Sequence, residues 1–112
     1  AAGAAVIHVH IRDDEARPTL EVSRLADTVA ALPDGATWSA TGIGRTTLPV
    51  MLGALGAGGH LRVGMEDTLT FSRGRPVARN AELVERAADL ARLAQRPPMP
   101  PAEARTFLSI PA

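Results

Sequence analysis

The chain has 112 residues, enough for one modest domain whose core would bury about two-thirds of the unfolded surface. Twelve basic residues balance twelve acidic ones, so no net field draws it to nucleic acid or to an anionic membrane, and a small molecule is the expected partner. The absence of cysteine excludes disulfides and thiolate ligands; with no apolar run of about 18 residues and no leader-like N-terminus, a soluble, cytoplasmic protein is expected.

The chain opens Ala1-Ala2-Gly3 and enters a strand within a few residues, as a chain beginning part-way through a fold would. That strand is "VIHVHI" (6–11), followed by the polar run Arg12, Asp13, Asp14 and Glu15. Alternation puts His8 and His10 on one face, about 6.5–7 Å apart along the chain. Two imidazoles at that spacing can each bring a ring nitrogen to about 2.0–2.1 Å from one zinc ion. They can equally be a pair of histidines satisfied by ordinary hydrogen bonds. The polar run marks the carboxyl end of the strand, the edge of a parallel α/β sheet where ligands bind.

A helical stripe follows, with Leu20, Leu25, Val29 and Leu32, and Pro33-Asp34-Gly35 ends it. "ATWSATG" (36–42) is a short β-prone run, and 43–59 reads as a helix in which Pro49 is tolerable within the first turn and Gly58-Gly59 is the stop. "HLRVGMED" (60–67) reads as a third strand, and 68–79 as irregular. In the helix over 80–96, Asn80 is the expected N-cap and Leu83, Ala87, Leu90 and Ala94 the buried face. The tail from 97 to 112 is a proline-rich linker with a short helix starting near Ala102.

The order β-α-β-α-β-α implies parallel strands joined by right-handed crossovers. Three such strands leave open sheet edges, so either a partner completes the sheet or residues 1–96 are part of a larger barrel. A homo-oligomer, or a chain incomplete without its partner, is the expected state.

In the third strand Arg62, Gly64 and Glu66 share one face. Glu66 and Asp67 lie at its carboxyl end, as His10 does on the first strand. His8, His10 and Glu66 can therefore converge as the two-histidine, one-carboxylate set of a zinc site with an open position, Asp67 standing beside it as a base. A solvated acidic exit from the strand is the plainer alternative for Glu66-Asp67 taken alone. "GIGR" (42–45) begins a helix, where backbone N–H groups from Gly44 onward, with Arg45, can meet phosphate; an ordinary turn is the simpler reading. Trp38 is expected to pack in the core, and His60 to cap the preceding helix.

Together, "GAAVIHVHIRD" (3–13), "GIGRTTLPVMLGALGAGGHLRVGMEDT" (42–68) and "NAELVERAADLAR" (80–92) resemble the β-keto acid cleavage enzyme family. The resemblance implies a zinc-dependent TIM (β/α)8 barrel that converts a β-keto acid and acetyl-CoA into acetoacetate and a new CoA ester. It also implies His8, His10 and Glu66 as zinc ligands, Asp67 as general base and Arg62 as the arginine that stabilises the reacting anion. Arg62 lies four residues before Glu66, about 13 Å along an ideal strand, so its guanidinium reaches the metal region only if Gly64 permits a bend or bulge.

A complete barrel takes roughly 250 residues. The segments present match the family's second strand and helix and then its seventh and eighth βα units, with a seam near Leu32-Pro33. By this resemblance the chain is expected to lack the family's first strand and its strands three to six. The chain is expected to be a partial barrel that keeps the zinc ligands, lacks much of the substrate pocket and has little or no activity alone. Two other readings remain: an amidohydrolase-like metal hydrolase, and a metal-binding fragment without catalysis.

Overall fold

The computed structural model describes residues 22–110. The expected first strand, with His8 and His10, lies outside the described residues.

The chain has α/β architecture. Helix α1 (Val22–Ala30) leads to strand β1 (Ser39–Ala40), a 3-10 turn (Gly44–Thr46) and helix α2 (Thr47–Gly56). Strand β2 (His60–Leu61) follows, then β3 (Thr70–Ser72), β4 (Arg75–Pro76), helix α3 (Asn80–Leu93) and helix α4 (Pro101–Phe107). Strands β1 and β2 run parallel, with Ser39 opposite His60 and Ala40 opposite Leu61. The His60 amide donates to the Trp38 carbonyl at 2.8 Å and the Arg62 amide to the Ala40 carbonyl at 3.2 Å. Main-chain groups alternate sides along a strand, so Ser39 and Leu61 turn theirs to the two open edges.

Both strands are shorter than their patterns imply. The expected strand over 60–67 stops at Leu61, because the chain turns over 65–67, where the Asp67 and Thr68 amides donate back to the Gly64 carbonyl at 3.1 and 3.2 Å. Residues 68–79, expected to be irregular, contain the antiparallel hairpin β3–β4, with Ser72 opposite Arg75 and Gly74 at φ +78° in the turn.

Helix α2 begins later than its apolar pattern, after the 3-10 turn, and Pro49 falls in its first turn, where a missing N–H is harmless. It ends in a Schellman motif: Gly58 adopts φ +85°, the Gly59 amide donates to the Ala54 carbonyl at 2.8 Å, and Gly58 donates to Leu55 at 3.3 Å. The helix end is capped by Arg96 and not by His60. The Arg96 guanidinium donates to the carbonyls of Leu55, Gly59 and Gly58 at 3.0, 2.8 and 2.9 Å. His60 is exposed, its ring edge-on to Phe107 of α4.

The core lies where α2 meets α3. Met51 and Leu83 have no exposed surface, and Leu25, Ala54, Leu55, Val77 and Ala91 are also buried. Full burial of side chains this size is worth about 1.5–3 kcal/mol each. Leu25 of α1 lies against Gly53 of α2, 3.2 Å from where a Cβ would stand. Trp38 is half-buried, its ring so close over Gly59 that a side chain there would collide with it. Alongside β2, Leu61, Val63, Val84, Ala87, Ala88 and Ala91 line an open cleft of about 740 Å³.

On α3, Leu83 is buried and Ala87 and Leu90 half-buried, but Ala94 is an exposed C-cap, and Ala91 takes the deeper position. Asn80 does not cap the helix. The cap position is Arg79, while Asn80 Oδ1 accepts the Met65 amide at 2.7 Å and so ties the start of α3 to the turn after β2. Helix α4 opens on Pro101, one residue before the expected start, with the fixed φ that suits a first helical position.

Candidate active site

The carboxyl end of β2 gathers three of the expected residues. Past Leu61 the backbone folds at Gly64 instead of staying extended, and this returns Glu66 and Asp67 to Arg62. The Arg62 guanidinium spans both: Nη1 donates to Asp67 Oδ2 at 2.8 Å and Nη2 to Glu66 Oε1 at 2.9 Å. The expected bend at Gly64 is present, and its reason is steric. A Cβ on this buried glycine would overlap the Glu66 carboxylate, which lies directly over it.

The two carboxylates differ in setting. The Glu66 side chain is 57% exposed and faces solvent, while Asp67 is 15% exposed and held on several sides. Thr41, just past β1, donates its hydroxyl to the Arg62 carbonyl at 2.7 Å and lies 3.4 Å from Asp67 Oδ2. The Gly44 amide donates to the Asp67 carbonyl at 2.8 Å. The loop after β1 thus buttresses the acidic turn after β2, and the ends of the two parallel strands form one unit.

That loop is locked from within. Thr46 Oγ1 accepts the Ile43 amide at 2.8 Å, and Thr47 Oγ1 donates to the Gly42 and Gly44 carbonyls at 3.0 and 2.8 Å. Gly42 is required because a Cβ would strike the backbone of Thr46 and Thr47. Gly44 has φ +55°, and its amide is engaged by Asp67, so the turn is self-contained. Arg45 is exposed beside it.

Sequence reasoning did not single out Thr41, Thr46, Thr47 or Asn80 as supports of this end of the sheet. The signal for the two adjacent threonines was present in "GRTT": hydroxyls next to a glycine turn compete for its free carbonyls. Thr41 and Asn80 act across 21 and 15 residues, and nothing local marks them. Among the described residues no three histidines or carboxylates form a group able to hold a metal. Of the expected ligands only Glu66 is described, and one of its oxygens is engaged by Arg62.

The model of the beta-keto acid cleavage enzyme family matches residues 1–34 and, in a second stretch, 23–110. The chain belongs to this family. It is 40% identical over 80 residues to the 3-keto-5-aminohexanoate cleavage enzyme of Fusobacterium nucleatum, covering 71% of this chain and 29% of that protein. The protein of the same name from Acetoanaerobium sticklandii is 37% identical over 82 residues, 73% of this chain and 30% of its own. The 3-oxoadipate:acetyl-CoA acetyltransferase of Cupriavidus necator is 36% identical over 85 residues, 76% of this chain and 30% of its own. The chain therefore spans less than a third of these family members.

Proposed function

We propose that this chain carries the metal-binding and proton-transfer part of a site that exchanges acyl groups between a β-keto acid and acetyl-CoA, and that alone it lacks most of the substrate pocket. The observation that carries this reading is the arginine fork over Glu66 and Asp67 at the carboxyl end of a parallel strand, in a member of this family. The names of the relatives, with keto acids and acetyl-CoA among them, supply the substrate class.

His8, His10 and Glu66 would hold zinc, a donor set of imidazole and carboxylate suited to that ion, and the bound ion would polarise the keto carbonyl as a Lewis acid. The exposed Glu66 carboxylate is available to an ion at the strand end. Asp67 would take the proton whose removal begins carbon–carbon cleavage. Its Oδ2 is fixed by Arg62, which leaves Oδ1 to act as base. Arg62, half-exposed beside both acids, would offset the charge of a reacting anion. Arg45 would approach the phosphates of the CoA moiety, with amides of the α2 N-terminus and not that of Gly44.

We further propose a partial barrel, with its seam near Leu32-Pro33, inside the span shared by the two matched stretches. Holding two substrates in near-attack geometry is worth up to about 7–11 kcal/mol. The middle strands that would supply it are missing. The test is zinc analysis of the purified chain combined with an acetoacetate assay, expected to give one zinc per chain and no product above a zinc-free control. Turnover by the 112-residue chain would refute the claim that the middle strands are needed. In a chain with those strands restored, Asp67→Asn should abolish turnover and keep zinc.

A further inference from the structure

We propose that the cavity between the β3–β4 hairpin and α3 binds a short-chain carboxylate, with Arg86 as its anchor and Arg79 as a second contact. The cavity holds about 390 Å³. Glu82, Glu85, Arg86, Asp89 and Leu93 line it from α3 at helical spacing, on the side opposite Val84, Ala87, Ala88 and Ala91 of the cleft beside β2. Phe71 and Arg75 line it from the hairpin, and Arg79 from the residue before the helix. Arg62, Glu66 and Asp67 take no part in it, so the site is separate from the one proposed for acyl exchange.

Arg86 carries donors that the chain leaves unpaired. Its Nη1 donates to the Phe71 carbonyl, and its guanidinium lies 4.7 Å from the centre of the Phe71 ring. Nε and Nη2 are buried and have no hydrogen-bond partner. Their N–H groups point the same way along one edge of the guanidinium, the geometry that takes both oxygens of a carboxylate at once. Buried charged donors without an acceptor are costly and rare.

The chain's own acids are otherwise engaged. Glu82 accepts the Ala78 amide at 3.3 Å and Arg75 at 3.4 Å, and Asp89 is held by Arg92 at 2.8 Å. Glu85 is next to Arg86 in sequence, and adjacent side chains on a helix do not face each other. The guanidinium of Arg79 makes no hydrogen bond or ion pair among the described residues.

The charges select the ligand. With Arg75 set against Glu82 and Arg92 against Asp89, what remains is Arg79 and Arg86 against Glu85, one net positive charge. A monoanion neutralises it, whereas a phosphate dianion would leave negative charge among three acids. Arg75 lies 4.1 Å from the same Phe71 ring centre, so an anion beside the ring also offsets repulsion between two guanidiniums. Phe71, Leu90 and Leu93 add an apolar wall for a hydrocarbon chain. Entry requires only movement of exposed side chains, Arg75 among them.

Equilibrium dialysis of the 112-residue chain against labelled hexanoate tests this, with hexanamide as the uncharged analogue and inorganic phosphate as competitor. Hexanoate should bind saturably, one per chain, and hexanamide should not. Arg79→Gln, an exposed position that leaves the fold alone, should weaken binding about five- to tenfold, the loss of one charge-assisted contact. Arg86→Lys, with the charge but no fork, should weaken it further, and Arg73→Gln, outside the cavity, should change nothing. Saturating hexanoate should also slow exchange of the Val77 amide, whose bond to the Leu69 carbonyl closes the base of the hairpin. Equal binding of hexanoate and hexanamide, no saturation, or full binding by Arg79→Gln overturns the proposal. Displacement by phosphate at lower concentration than hexanoate itself overturns the choice of a carboxylate.

Discussion

Replacing Arg96 with Met should loosen the end of α2, which it touches from 37 to 41 residues away in sequence. Methionine keeps an aliphatic stem of similar reach and removes the guanidinium. Of its three bonds, that to Gly58 is exposed and water replaces it at little cost. Those to the Leu55 and Gly59 carbonyls are half-buried, and losing each costs about 1 kcal/mol net. The charge also lies at the negative end of a helix dipole, worth about 0.5 kcal/mol more. The sum is about 2–2.5 kcal/mol, roughly a 30- to 60-fold change in a local opening equilibrium. Hydrogen exchange reads it directly: the Gly58 and Gly59 amides, bonded to Leu55 and Ala54, should exchange faster by that factor in Arg96→Met than in the parent. Arg96→Lys, with the charge but no fork, should recover only part of the protection. A change below about threefold in Arg96→Met would mean that the Schellman turn holds itself and that the arginine is ornamental.

His8→Ala with His10→Ala should abolish zinc binding; one equivalent of metal retained by the purified double variant would remove these residues from the site. Gly42→Ala forces a methyl group into the backbone of Thr46 and Thr47 and should destabilise the chain by about 1–3 kcal/mol. Gly35→Ala, with open space around it but φ +76°, should cost about 1 kcal/mol by strain alone, and denaturant titration of both variants separates the two causes. With Leu48, Leu52, Val84 and Leu93 all exposed on α2 and α3, the chain should sediment as an oligomer or aggregate; a monomer with a sharp calorimetric transition would contradict the incomplete core.

The helices were legible in the sequence because their signals are local. Leu83, Ala87 and Leu90 marked the inner face of α3 and Gly58 the end of α2, whereas the start of α2 was expected at 43 and that of α4 near Ala102. The parallel pair β1–β2 was legible in order and direction but not in length. Alternation over 60–67 looks extended until tertiary contacts show that Arg62 draws Glu66 and Asp67 back on themselves, a bend that Gly64 permits and an alternation pattern cannot report. The hairpin over 70–76 was missed although Ser72-Arg73-Gly74 spells a turn, because the flanking runs are short and mixed in polarity. Arg86 is a further case. Its Nη1 donates to the Phe71 carbonyl and its guanidinium stacks 4.7 Å over the Phe71 ring, pinning the hairpin to α3. Burial lowers its pKa and leaves Nε and Nη2 without hydrogen-bond partners. A charged residue on a helix reads as solvent-facing until the element that covers it is known. For the site, Arg62, Glu66 and Asp67 stand together as the motif implied, whereas their supports, Thr41 and Asn80, come from distant positions that spacing does not connect.

The fork of Arg62 has a consequence for how the acidic turn meets a cation. Two adjacent carboxylates would ordinarily repel one another and stay splayed until an ion gathered them. Here one guanidinium already does so, leaving a single net negative charge, and the turn is further tied by Thr41, Gly44 and Asn80. The strand end is therefore preorganised: an ion bound as proposed would find Glu66 in place and displace at most one hydrogen bond, and a chelator that stripped it would leave the turn standing.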